Sequence, residues 1–418
     1  MTAITNLPDL RPSLLLDFAN SGRVDPRIQC TRASSATCFG PDGRLRTVAA
    51  NVPRIDYDPV TGTCKGLLIE EARTNYIPNN TMQGAVVGSP GTTPTGWSAA
   101  GTGSGITRTV VATGEEDGIS YIDIRFNGTP SVNNLSVSFA GVNSITAASG
   151  QAWSLSAYLR LVGGSFANTT PEFDILETDG TNGIAASRAP CVATGKPLVT
   201  QRFVSAATLS NAGTTHVQPR IRVGLTIGQP VDFTLRIGLP QFEAGGFATS
   251  VIHTAAAQVT RAADVASMTG ANFSSWYRQD EGTFVAESAT NSTNGAVSSS
   301  VLAAFASSSN YQRIRHLGGL VDVTTLSGGV LVVDSGGVAV PVGTFCKTVM
   351  AYKSDDYAQY TNGVSGGADT SAALPVGVNT LNIGSTDGNG TFLNGHIKRI
   401  AYYPSKRLTN EQLQRLTA

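Results

Sequence analysis

Trp153-Ser-Leu-Ser-Ala-Tyr-Leu-Arg-Leu161 places Trp153, Leu155, Ala157, Leu159 and Leu161 at every second position. Period two is the side-chain repeat of a β-strand with one buried face, whereas a helix repeats near 3.6. The alternation recurs on both sides of this stretch. Ile119–Phe126, Leu135–Phe139, His216–Val223 and Val231–Ile237 carry it, with Gly-, Asn- and Pro-containing segments between them. Short alternating strands at roughly 15–20-residue spacing predict a β-sandwich. Within that pattern Trp153 is a core residue.

Composition agrees with this and bounds the function. A chain of 418 residues exceeds one ordinary core and predicts two or three domains. Its 46 glycines stand well above the usual share of ~7%, and only 14% of residues are charged. Such usage favours many short strands and tight turns. Formal net charge is zero, so no global field favours nucleic acid or an anionic membrane. The mildly basic run from Lys398-Arg399 to Lys406-Arg407 is too sparse for a nucleic-acid footprint. No apolar run approaches the ~20 residues that span a bilayer, so no membrane insertion is expected. Met1–Asp9 lacks a basic segment followed by an apolar one, which leads us to expect synthesis in a cytoplasm without a signal peptide.

Three regions are expected: a leader over 1–74, a jelly roll over 75–260 and a second β-sandwich over 261–418. In the leader, Pro41-Asp42-Gly43, Pro53 and Asp58-Pro59-Val60-Thr61-Gly62 break the chain into short extended pieces. Glu70-Glu71-Ala72-Arg73 reads as a salt-bridged connector, because adjacent acids on a strand point to opposite faces. Thr31-Arg32-Ala33 is echoed by Thr260-Arg261-Ala262. If the echo is structural, both arginines dock at one junction with Asp264 or Asp56 as ion partner. In the last region Asn362-Gly363 is a hairpin signal, since both residues tolerate positive φ. Thr409, followed three residues on by Gln412, predicts a capped helix burying Leu413 and Leu416.

The leader's order resembles that of phage virion proteins, often called head-spike or tail-fibre proteins. The matching pieces are an apolar strand, T-R-A-S-S-A-T, a Pro-Asp-Gly turn, N-V-P-R-I-D-Y-D-P-V-T-G and G-L-L-I-E-E-A-R-T-N. The middle region resembles jelly-roll carbohydrate-binding modules of glycoside hydrolases through PTGW at Pro94–Trp97, GQAWSLSAYLRL and GLPQFEAGGFATSVIHT. The last region resembles laminin-G/concanavalin-like sandwiches through its Y-x-N-G hairpin, L-N-I-G-S strand and closing F-L-N-G-x-I-K-R-I-A-Y-Y-P segment. The resemblance implies an all-β protein: an extended leader followed by two antiparallel β-sandwich (jelly-roll) domains. It implies a homotrimeric virion fibre or spike, anchored through the leader to capsid, neck or tail proteins and contacting host-surface polysaccharide. No cofactor is implied. The alternatives are a purely structural decoration protein and, less favoured, a glycan depolymerase.

Glycan contact needs aromatic faces and polar side chains. The candidates are Trp97, Tyr357, Tyr360 and Asn362, although Trp97, between Gly96 and Ser98, also reads as a structural plug. Trp276 reads as packing. Glycosidase chemistry needs two acids ~5–9.5 Å apart; Glu115-Glu116-Asp117, Glu172 with Asp174, and Asp355-Asp356 are the sets to consider. Each lies in or beside a turn-like segment, and the long repeat of β-helical depolymerases is missing, so no catalysis is expected. His216, His253, His316 and His396 show no metal-ligand spacing. Asp387 and Asn389 resemble a turn more than a calcium cage. Five cysteines are an odd number. For Cys30, Cys38 and Cys64 two readings stand: buried thiols, or a disulfide within the chain or between protomers.

Overall fold

The computed structural model describes residues 11–100, 104–293, 298–404 and 406–418; Met1–Asp9 lies outside them. The protein is all-β, built of antiparallel sheets stacked into two sandwiches. One helix longer than a single turn is described, Asn410–Thr417. Among the described residues no helix is long and apolar enough to cross a membrane.

The middle sandwich matches the expected jelly roll. Ala152–Ser165 is an inner strand of a five-stranded sheet, between Arg202–Thr208 and the central Val231–Ala244, with Ile119–Gly128 and Ile106–Glu116 beyond. The facing sheet is built around Thr169–Thr178 and His216–Leu225. Trp153, Leu155, Ala157 and Leu159 all enter the core between the sheets, as their alternation requires. Trp153 stacks on Phe242, with ring centroids 4.8 Å apart.

The leader departs from the expectation of a separate anchoring segment. Leu14–Asp17 pairs with Gly395–Pro404, which also pairs with Cys64–Ile69, itself bordered by Arg54–Tyr57. All of them share a sheet with Glu281–Thr290 and Cys346–Lys353, hereafter the closing sheet. Gln29–Thr31 joins the opposite, facing sheet beside Val265–Thr269. The second sandwich is therefore composite, made from both ends of the described chain. Its core takes Leu14, Leu16, Phe18, Ile28, Leu67 and Ile69 from the leader. Burying an aliphatic or aromatic side chain contributes about 1.5–3 kcal/mol. These six together give roughly 9–18 kcal/mol gross, as large as a domain's whole net stability of about 5–15 kcal/mol. Gly66 fits this pairing: at φ +96°, a Cβ there would overlap the Ile397 carbonyl.

The jelly roll is thus an insertion. Its entrance, Arg73–Asn75, and its exit, Val259–Arg261, pair with each other as a two-stranded stem. This differs from the three-part division expected: the first and last regions form one sandwich. The leader hairpin Ala36–Phe39/Leu45–Val48 leans on the jelly roll. Leu45 packs with Ile119, Tyr158 and Leu239, and its N–H donates to the Asp117 carbonyl at 2.9 Å.

Candidate functional site

The stem opens into a buried ionic cluster that the arginine echo anticipated. Arg32 Nη1 donates to Asp264 Oδ1 at 2.8 Å, and Arg261 Nη1 lies 3.7 Å from Asp264 Oδ2. Arg54 contacts Asp264 and also Glu70, at 2.8 Å from the latter. Arg261 reaches Glu70 at 3.5 Å. Three arginines therefore meet two carboxylates, all buried. Burial opposes the Glu70 charge, but Arg261, Arg54 and the Ser250 hydroxyl and N–H outweigh it and hold the carboxyl well below its usual range. Burial likewise opposes Arg54, yet Asp264 and Glu70 keep it above its ordinary value, whereas in Arg261 burial prevails and lowers it. Asp56 is not part of this cluster. It accepts from Phe39 N–H and pairs with His396 Nε2, each at 2.8 Å. A cavity of about 250 Å³ beside that pair is lined by leader, jelly roll and closing sheet together. The cluster is a structural lock, its two carboxylates each shared between arginines of the leader and the stem.

Most of the acids considered for catalysis are ion-paired with arginines. Glu116 meets Arg236 at 2.6 Å and Arg160 at 3.1 Å. Although burial opposes its charge, the Leu198 N–H and these arginines hold the Glu116 carboxyl below its usual range. A glycosidase acid needs the opposite shift. Glu115 faces Arg44, Glu172 faces Arg222, Asp174 faces Arg220 and Asp356 faces Arg407. Asp355 sits at φ +57° in a turn. Asp387 Oδ1 accepts the N–H groups of Asn389 and Gly390, closing a turn.

Two of the four expected sugar contacts are in the wrong place to touch a ligand. Trp97 is 7% exposed, packs edge-on against Phe139 and donates its indole N–H to the Pro78 carbonyl at 2.8 Å. Tyr357 lies inside the composite core, 2% exposed, with its hydroxyl donating to Gln312 Oε1. Its position on a strand edge in sequence hid the fact that its face of the strand points inward. Tyr360 points the other way but is partly covered in the patch formed by Leu408, Leu413 and Leu416. Asn362 is exposed at φ +48°, and its Oδ1 caps the Lys347 N–H. The structure therefore gathers no aromatic platform from these four. All five cysteines are free thiols, so no disulfide joins Cys30, Cys38 or Cys64 within the chain. Burial pushes Cys30 and Cys38 up to about 11.

A polar and aromatic cluster lies elsewhere, on the side of the facing sheet turned away from the core, with Phe305 half-buried and Tyr311 9% exposed. Ile314, Val321, Val323, Leu381 and Ile383 fill the core, so their strand neighbours point out. Register sets Phe305 opposite Tyr311, Arg313 between Ala303 and Thr324, and Ala303 opposite Asn382. The Phe305 and Tyr311 rings stack at 6.2 Å, and the Arg313 guanidinium lies 5.2 Å from the Tyr311 ring centroid. Arg313 Nε donates to Thr324 Oγ1 at 2.9 Å and Nη1 to Thr386 Oγ1 at 2.8 Å. Arg313 is only 7% exposed, yet no carboxylate lies within ion-pair distance of it among the described residues. The adjacent acids serve Arg315 instead: Asp322 at 2.7 Å and Asp334 at 3.5 Å. Sequence reasoning missed this patch. The available signal was Arg313 and Arg315 two apart in Asn310–Leu317, hence on one face of a strand.

No family model matches the chain, and no curated protein matches it. Solved structures that it resembles include the CBM40 of Ruminococcus gnavus IT-sialidase bound to α2,3-sialyllactose. That likeness has 18% identity and a TM-score of 0.29, over 35% of this chain and 88% of that one. The carbohydrate-binding module CBM66 from Bacillus subtilis is 11% identical at TM-score 0.22, over 34% and 77%. Domains LG4-5 of the mouse laminin α1 chain are 10% identical at TM-score 0.23, over 66% and 89%. With every score this low, what the chain binds must be read from its own side chains.

Proposed function

We propose that this chain is a structural protein of a phage virion, a fibre or spike, that contacts host-surface glycans weakly and without catalysis. The leader's resemblance supports the virion setting, with other virion proteins as partners and a homotrimer as the assembly. The observation that carries glycan contact is the outward patch of the composite sandwich. There an aromatic pair adjoins a guanidinium whose charge meets no carboxylate among the described residues. Aromatic faces stack on sugar rings, while an arginine fork and neighbouring hydroxyls take ring substituents. Single weak sites repeated on a particle gain strength through effective concentration.

The test is glycan-array binding by the full chain displayed multivalently. The full chain is needed because Leu14–Ile69 completes the sandwich that bears the patch. Binding to a defined set of glycans, reduced at least tenfold by Phe305→Ala, is the expected result. Silence across the array favours the decoration-protein reading. New reducing ends released from bound polysaccharide would overturn the absence of catalysis.

A further inference from the structure

Arg313 differs in its partners from the other strongly buried arginines. Arg32, Arg54 and Arg261 share Asp264, and Arg73 has Glu71. Among the described residues Arg313 has only two threonine hydroxyls as hydrogen-bond partners. Taking a guanidinium out of water costs several kcal/mol unless an anion compensates it. The charged and titratable groups facing it are Arg315, Asp322, Asp334 and Tyr311, and both acids are turned to Arg315. Nη2 makes no hydrogen bond to a described residue. The two threonines therefore fix the plane of the guanidinium while leaving donors to spare. Thr386 belongs to the loop closed by Asp387, and Asn382 Nδ2 donates to the Thr386 carbonyl at 2.7 Å, so the loop itself is held.

We propose that Arg313 receives the carboxylate of an acidic saccharide, with the sugar ring lying toward the half-buried Phe305. This deepens the glycan-contact reading and rests on it. A carboxylate supplies the missing counter-charge and matches the planar donor geometry of a guanidinium. A neutral sugar supplies hydroxyls only and leaves the cation uncompensated. Hexuronates and sialic acids present the same group, and the chemistry of the site is shared between them.

The experiment uses the full chain against immobilised probes: an oligogalacturonate tetrasaccharide, its methyl ester, a sialylated trisaccharide and a neutral tetrasaccharide. One or both acidic probes should bind at least tenfold more strongly than the neutral one, and which of them binds names the source. Methyl esterification should remove that advantage, as should Arg313→Gln with an unchanged melting temperature. Arg313→Lys should restore less than a tenth of the binding. The ester comparison uses the unaltered protein, so the test survives a variant that fails to fold. Equal binding of acid, ester and neutral probes overturns the acidic-ligand inference and leaves glycan contact standing. Absence of binding to every probe, together with a silent array, overturns both.

Discussion

Replacing Asp264 with Asn tests whether the buried ionic cluster locks the leader into the composite sandwich. The change keeps size and shape but removes one of two carboxylates facing three arginines. Asp264 lies 2.8 Å from Arg32 and 3.7 Å from Arg261, contacts Arg54 and accepts the Glu70 N–H at 3.0 Å. At an effective dielectric of ~20, each such charge contact carries about 4–6 kcal/mol of gross attraction, most of it offset by desolvation. What remains when one partner is removed is the cost of stranded charge, about 3–5 kcal/mol. For a sandwich of this size that corresponds to a melting shift of about 6–20 °C. Differential scanning calorimetry should place this shift in the composite sandwich's transition and leave the jelly roll's nearly unmoved. A loss under about 1 kcal/mol, or an equal shift of both transitions, would refute the argument. Substituting Arg32→Met together with Asp264→Leu should recover part of the loss, because apolar packing replaces an ion pair without stranding its partner.

Trp97→Ala should lower jelly-roll stability by about 3–5 kcal/mol in urea unfolding, while glycan-array signals normalised to folded protein stay unchanged; a selective loss of binding would restore Trp97 as a sugar platform. His316 is buried and its imidazole is pushed down to about 4 from the ordinary 6.5, by desolvation. The unfolded chain therefore takes up this proton first. The associated stability is fully present above pH 6.5 and is lost as pH falls toward 4, by up to about 3 kcal/mol. His316→Gln should flatten that slope in melting curves, and an unaltered slope counts against it. Burial raises the thiols of Cys30, Cys38 and Cys346 to about 11, so iodoacetamide at pH 8 should label them only after denaturation; rapid labelling of native protein would contradict the packing. A chain starting at residue 75 should be largely insoluble, whereas residues 73–261 should fold as a soluble module.

Local pattern made the strands legible. Trp153–Leu161 could be placed from its alternation alone, and the Asn362-Gly363 turn and the Thr409 capping box follow from the conformations those residues favour. The arginine echo was legible too, because Arg32 and Arg261 do converge on Asp264. The owner of the leader strands was not. Cys64–Ile69 looks the same in sequence whether it pairs with a neighbouring protomer or with Gly395–Ile397 more than three hundred residues away. Pairing is chosen by the packing of Leu67 and Ile69 in a distant core, and periodicity does not encode distance. The same limit explains Tyr357 and Arg313. Which face of a strand turns inward depends on the sheet stacked against it, so a tyrosine taken for surface lies in the core, and an arginine that drew no notice lies buried on the face turned away from the core.

The pairing of Leu14–Asp17 with Gly395–Pro404 also dictates an order of events on the ribosome. The leader strands emerge first and wait for the last strand, while the inserted jelly roll already holds every strand it needs. Long-range pairing of this kind folds slowly and leaves edges open in the interval. A nascent chain or a premature stop before residue 395 would therefore display unpaired leader strands beside a finished jelly roll. Such a product is open to aggregation or proteolysis until the closing strand is made.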